Sequence, residues 1–407
     1  MMRAWGGAWA LLLFFCHVAA GADVEIVRPG AGKSGIDISG ITTDGASGAE
    51  FLQTLENNLV RSGVFVVARG RSSAIVVEGA YRDTGDRTEA RGAVRNVSTG
   101  HGYFTRTYRG AGGDARTLAK TLADDIVEAV TGQVGIATTR IALIGSVRGI
   151  KNLFLCDADG GNFVQVTRDA AVALAPSWFP DAQRLVYTSF HRGYPDVYQI
   201  DLRKNARTRI AKFPGLNVSG AISPDSREMA VILSRDGNPE LYVMNLETRT
   251  LRRLTRTPHA VEASPSWSPD GRQIVFVSDR PGRPHLYITD ANGKQVRRLT
   301  YQGAENVAPD WGSNGLIAYS SRREGRYRLF TIDPATGQKN RITDEAGDFE
   351  EPSWAPNGRH IVCSRRVGYR SEIFIIDTEG DPPVRLAPRE GDWYSPVWSQ
   401  RKKGDRQ

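Results

Sequence analysis

The run GAGKSG at 30–35 is the first place where residue types and spacing could do chemistry. It satisfies G-x-G-x-x-G, a glycine pattern that lets a backbone approach a pyrophosphate closely. A phosphate-binding loop also needs a glycine six residues before its lysine, and Val27 holds that place before Lys33. A dinucleotide fingerprint needs a helix directly after the glycines, whereas residues 36–39 read as a strand. Nucleotide binding is therefore not expected. Serine hydrolysis would call for a G-x-S-x-G elbow, and the chain contains none. Outside the first 22 residues the histidines are His101, His191, His259, His285 and His360, without metal-ligand spacing. Asp348, Glu350 and Glu351 read as solvated loop charge, with a cation in a central channel as the sharper alternative. No catalytic residue, metal or cofactor is expected, so the readable signal lies in the elements that position loops.

Those elements announce themselves through a segment that recurs about every 44 residues, written most cleanly at 264–278 as SPSWSPDGRQIVFVS. Trp178, Trp267, Trp311, Trp354 and Trp398 hold one place in it, and Ile222 holds that place in the remaining copy. A fixed period of this size signals one supersecondary unit stacked on itself. Each unit carries four short runs rich in Val, Ile, Tyr, Phe and Trp; from Ser264 they are 265–268, 274–278, 286–289 and 296–300. Turns such as SPDG at 268–271 combine a fixed φ, a local side-chain hydrogen bond and a permissive backbone. A four-stranded meander cannot bury both its faces alone, and a closed ring of such sheets solves that problem.

Third-strand signatures number six: LFLCD (153–157), VYQID (197–201), LYVMN (241–245), LYITD (286–290), LFTID (329–333) and IFIID (373–377). The first unit begins at IALIG (141–145) with no Trp strand before it, and SPVWS (395–399) has no unit after it. The two ends are expected to share one blade, closing an all-β six-bladed propeller over 138–400 that needs no capping repeats. The tryptophans are expected to fill the space between blades.

Residues 1–22 read as a secretory signal peptide: Arg3, an apolar run at 11–15, and the small-residue site Ala20-Gly21-Ala22. The apolar run is too short to span a bilayer. Cys16 follows Phe15, which is too bulky for a lipoprotein signal. Residues 23–137 lack the repeat and are expected to form a small α+β domain. Ser47 with Glu50 reads as a capping box opening a helix whose apolar face is Phe51, Leu52, Leu55, Leu59 and Val60. Strand-like runs follow at 64–67, 74–81, 92–97 and 103–108. A second helix is expected from about Asp114 to Thr131, with Leu118, Leu122, Ile126 and Val130 on one stripe. The Gly-rich stretch 28–48 holds little apolar content.

The formal charge is +8, and removing Arg3 with the leader leaves about +7. Arginines are scattered through every repeat, so a nucleic-acid partner is not expected in an exported protein. The only Lys/Arg block is the start of a basic tail, 401–407. Cys156 and Cys363 lie in apolar strand runs and are expected as buried free thiols. A bridge between their neighbouring blades is left open. Stability must come from burial rather than a disulfide framework.

Six connections from a fourth strand to the next first strand would surround one channel mouth, among them 214–220, 259–263, 302–307, 346–351 and 392–394. Function concentrates in loops held by a rigid scaffold. The order of leader, α+β domain and six repeats of W-S-P-D-G, I-x-F-x-S, L-Y-x-x-D and R-x-L-T, with NNLVRSGVFVV at 57–67, resembles the TolB family of the Tol–Pal envelope system. The resemblance implies a periplasmic, non-enzymatic adaptor serving outer-membrane integrity and constriction at division. It implies a Pal-type lipoprotein on the propeller mouth and a TolA-type inner-membrane protein on the N-terminal segment. The Pal-type surface then maps to Leu216, Asn217, His259, Glu262, Ala263, Ser264, Asn306, Glu350, Glu351, Trp393 and Tyr394. The TolA-type segment maps to 22–36, with Asp23, Val24, Glu25, Ile26 and Val27 as contacts. A monomer is expected. Two other classes stay open: a propeller hydrolase or lyase using His259 or Glu351, and a glycan-binding module stacking on Trp393 and Tyr394.

Overall fold

The protein is seen here as a computed structural model that describes residues 32–68, 73–147, 149–386 and 391–402. The expected signal peptide with Cys16, the expected contacts Asp23–Val27 and residues 403–407 of the tail lie outside the described residues. The N-terminal region builds one sheet and two helices: β1 (Ser34–Thr42), α1 (Gly45–Arg61), β2 (Phe65–Val67), β3 (Ile75–Asp83), β4 (Arg87–Asn96), β5 (Gly102–Ala111) and α2 (Ala115–Thr131). Strand order is β2-β1-β3-β4-β5, with β1 parallel to both neighbours. Phe51, Leu55 and Leu59 of α1 and Leu118, Leu122 and Ile126 of α2 share one core with Ile36, Val77 and Tyr81. The expected capping box does not form. α1 starts at Gly45, two residues before Ser47, with Asp44 at its N-cap and no side-chain cap bond. Gly48 lets the first turn of this helix pack closely on Thr43, since a β-carbon there would lie 2.7 Å from Thr43 Cβ.

The repeats form six four-stranded sheets. Blade 1 takes its inner strand from the far end of the chain: Asp392–Trp398 pairs antiparallel with Arg140–Val147, setting Trp398 opposite Ile141. Inner strands of blades 2 to 6 are Ala173–Trp178, Asn217–Ile222, Glu262–Trp267, Glu305–Trp311 and Asp348–Trp354. The closure is the one the out-of-phase repeat count predicts. It removes the exposed edge that a linear stack would leave. Cys156 and Cys363 are both buried and are not bridged to each other.

Each inner strand carries one non-glycine residue at positive φ: Ala175, Ser219, Ser264, Ala308, Glu351 and Ser395, between 45° and 57°. Each sits where the inner strand slips register against the second strand, so these are bulges. Such backbone costs on the order of 1–3 kcal/mol and persists only where its surroundings over-determine it. The neighbouring blade supplies that restraint in places. The Ser219 amide donates to Thr188 Oγ1 (3.2 Å) and the Glu351 amide to Ser320 Oγ (3.1 Å).

The tryptophans do pack between blades, and they also bond across them. Trp178 Nε1 donates to the Val397 carbonyl (3.1 Å) and Trp267 Nε1 to the Ala221 carbonyl (3.0 Å). In both cases the acceptor lies on the previous blade's inner strand.

The N-terminal domain is fastened to the tryptophan end of the propeller, over blades 6 and 1. Lys120 of α2, only 4% exposed, meets Asp157 (2.6 Å) and Asp159 (3.0 Å). Arg116 also reaches Asp159 at 2.7 Å. Arg401 reaches back to Asp125 (3.0 Å) and Glu128 (2.7 Å). Arg359 donates to the Gly63 carbonyl while holding Asp377 (2.6 Å), and Lys33 meets Asp381 (2.6 Å). Burying paired charges is weakly stabilising at best, but it fixes one docking pose because a lost partner leaves an uncompensated charge.

Candidate functional site

The opposite mouth is ringed by two sets of loops. Connections from fourth to first strands form one set, and hairpins between second and third strands form the other. Among the described residues, every hydrogen bond and ion pair between the two domains lies at the tryptophan end. Docking of the N-terminal domain therefore leaves this loop mouth uncovered.

The sequence-derived rim residues divide sharply. Four are buried and correct the expectation that they face a partner: Asn217 (0% exposed), Glu262 (1%), Asn306 (0%) and Trp393 (7%). All four fall at or next to the start of an inner strand, where the side chain points between blades. Asn217 Nδ2 donates to the Phe213 and Gly215 carbonyls (2.8 and 3.1 Å), and its Oδ1 accepts from the Phe213 amide (2.8 Å). Asn306 repeats the device, donating to the Gln302 carbonyl (2.8 Å). Glu262 is clamped by Thr257 (2.8 Å) and Arg280 (3.0 Å), and burial raises its carboxyl above the usual range. Trp393 stands edge-on to Phe154 and Phe163 and fits only because position 145 is glycine; a β-carbon there would lie 2.2 Å from the ring. These residues shape loops rather than greet a partner.

Leu216, Ala263, Ser264, Glu350, Glu351 and Tyr394 are half-buried, and His259 is exposed. Glu351 is pinned by the Ser395 amide (2.6 Å) and hydroxyl (2.7 Å). Glu350 is held above its ordinary acidity range by burial first, against the pull of Arg366 and with Glu351 and Asp348 adding to the rise. Among the described residues no group of three or more His, Cys, Asp or Glu is arranged to hold a metal. Asp348 and Glu350 pair with Arg366 at 3.4 and 3.6 Å.

What the sequence reading missed is the set of exposed apolar tips. Val172, Phe190, Tyr194, Val261, Tyr301, Val367 and Tyr369 all project at this mouth, with Tyr194 75% and Tyr369 100% exposed. The four exposed aromatics of the described chain are all here. Exposed apolar groups gathered at one face mark docking surfaces, and aromatic anchors carry much of interface energy. The only available signal was their place in connections where the repeats differ most. Arginines surround them: Arg192, Arg235, Arg283, Arg326 and Arg370 lie in five successive hairpins. Several neighbours are tied down, with Arg280 at 3.0 Å from Glu262 and Arg322 at 3.2 Å from Glu305. The mouth thus combines aromatic tips, a basic outer ring and a partly neutralised acidic inner ring.

Comparison with known proteins adds the family. Residues 127–402 match the family model described as the TolB beta propeller domain. The Tol-Pal system protein TolB of Desulfosudis oleivorans is 35% identical over 152 residues, 37% of this chain and 34% of that protein. The Tol-Pal system protein TolB of Anaeromyxobacter dehalogenans is 33% identical over 258 residues, 57% of this chain and 59% of that protein. The chain thus aligns with about a third to three fifths of the length of these relatives. The crystal structure of TolB from Acinetobacter baumannii superimposes with a TM-score of 0.81 at 28% identity, covering 92% of this chain and 99% of that one. With the family model matched across the whole blade array and the two-domain order shared with a solved relative, this chain belongs to the TolB propeller family.

Proposed function

We propose that this protein is a periplasmic, non-enzymatic adaptor of the Tol–Pal system, with a Pal-type lipoprotein domain docking on the loop mouth. The observation that carries the reading is the gathering of every described exposed aromatic on the one mouth that the N-terminal domain leaves free. Two-sided use follows from that layout: a TolA-type partner would engage residues 22–36, including Asp23, Val24, Glu25, Ile26 and Val27, which lead into the tryptophan-end domain. The reading takes 1–22 as a signal peptide, 23–137 as the docked domain, 138–400 as the propeller and 401–407 as a tail. It makes the mature chain a monomeric scaffold without a cofactor.

The test is calorimetric titration of the mature protein with a soluble Pal-type domain from the same envelope. Tyr369→Ala combined with Tyr301→Ala should weaken binding about tenfold or more, while Asn217→Asp should act through loop disorder and lower thermal stability as well. Absence of binding by the unaltered protein, or full affinity in the double tyrosine variant, would overturn the assignment of this mouth.

A further inference from the structure

The tryptophan end holds a cavity of about 510 Å³, within the range of small-ligand sites. Its walls include Trp178, Trp267, Trp311, Trp354 and Trp398 together with one carboxylic acid, Asp310, and one cation, Arg401, which is already paired with Asp125 and Glu128. Six equivalent positions line this level, each just before the Trp or Ile of an inner strand: Ser177, Ala221, Ser266, Asp310, Ser353 and Val397. At three of them, Ser266, Asp310 and Ser353, the side chain receives the backbone N–H of the next blade's tryptophan. Ser266 Oγ accepts from the Trp311 amide (3.0 Å) and Ser353 Oγ from the Trp398 amide (3.1 Å). Asp310 Oδ2 accepts from the Trp354 amide at 2.7 Å.

Serine therefore performs the structural task in two blades without an ionisable group. The carboxyl of Asp310 is surplus to it. It is also costly, because a charge taken out of water needs a partner. Asp124, the buried acid under the N-terminal domain, has Arg401 at 3.5 Å. Asp310, half-buried, has only hydrogen bonds from the Trp354 amide, Ser266 and Ser353, set against the effect of burial, and no ion-pair partner among the described residues.

Two further departures fall at the same blade junction. Gly312 stands where Phe179, Ser223, Ser268, Ala355 and Ser399 carry side chains; a β-carbon there would lie 2.8 Å from the Trp354 indole. Trp354 Nε1 is buried without a hydrogen-bond partner, whereas the other four indoles each donate to a protein oxygen. Trp311 keeps part of its ring accessible. An uncompensated carboxyl and accessible indole surface meet in one cavity.

We propose that this cavity binds a small organic ammonium ion. The Asp310 carboxylate faces the ammonium group, and the indoles that line the cavity, Trp311 among them, supply aromatic surface to it. Aromatic faces beside a carboxylate suit an organic ammonium through cation–π attraction. A hard metal ion would call for more oxygen ligands than one carboxylate and two hydroxyls.

The experiment is titration of the purified mature protein with choline, followed by intrinsic tryptophan fluorescence at constant ionic strength. Choline should give a saturable change. Asp310→Ser keeps the amide cap in the form used by blades 4 and 6 and should weaken choline binding about tenfold. A urea midpoint for Asp310→Ser at or above that of the unaltered protein shows that folding is intact. No saturable change with choline, the same change with sodium chloride alone, or undiminished binding in Asp310→Ser would each overturn the proposal.

Discussion

Asp310 and His360 show how single enclosed groups tie this fold to pH, with opposite signs. Burial raises the Asp310 carboxyl. Its stabilising contribution is complete below the unfolded carboxyl range and is lost as pH rises through the folded value. Asp310→Ser should therefore raise the urea midpoint at pH 7 and lose that advantage near pH 3. His360 runs the other way. Burial lowers it from 6.5 to about 4, and Asn357 Nδ2 lies 2.9 Å from its Nδ1. The unfolded chain takes up the proton first as pH falls, so stability should drop between about pH 6.5 and 4 by at most about 3 kcal/mol. Denaturant titrations across that window should show the slope, and His360→Gln should flatten it. A slope unchanged in the variant would assign the acid sensitivity to other groups.

At the scale of elements, the closing strand Asp392–Trp398 is the most exacting piece. Trp398 is 5% exposed, lies against Ile141 and donates from Nε1 to Thr139 Oγ1 (2.7 Å). Trp398→Ala removes both the packing and the bond at the seam of the ring, and should cost about 3–5 kcal/mol in chemical denaturation. Gly145→Ala presses on the same seam from the partner strand, because its new methyl would meet Trp393 at 2.2 Å. Overpacking of this kind should cost about 1–3 kcal/mol. A variant that melts like the unaltered protein would mean that the seam is not the limiting contact. Most of this level was legible beforehand. The 44-residue period, the turn chemistry and the orphan strand SPVWS together dictated a ring closed by its own ends. The start of α1 was not legible, because no side-chain cap bond marks it.

For the whole molecule, the domain junction decides what the two mouths can do. Lys120, Arg116, Arg359 and Arg401 tie α1 and α2 to blades 6 and 1. Removing two of these ties together, in Lys120→Met with Arg401→Ala, strands Asp157, Asp159 and Asp124 with fewer partners. The expected result is two calorimetric transitions in place of one, with the propeller transition little moved. A single unshifted transition would show that apolar contact alone couples the domains.

The amino-acid sequence by itself determined the architecture, because period, strand patterning and turn residues act locally and repeat six times. It also pointed to the loop mouth, since loops are where the repeats cease to match. It could not rank residues within that mouth. Asn217, Glu262, Asn306 and Trp393 look like rim residues in one dimension, yet the start of an inner strand faces the neighbouring blade, so they are buried. Tyr194, Tyr301 and Tyr369 look unremarked in one dimension, yet they stand clear of the ring. The same holds at the other end, where only the packing of neighbouring blades sets Asp310 against the Trp354 amide from 44 residues away. Burial is a property of the assembled ring, and no local pattern carries it.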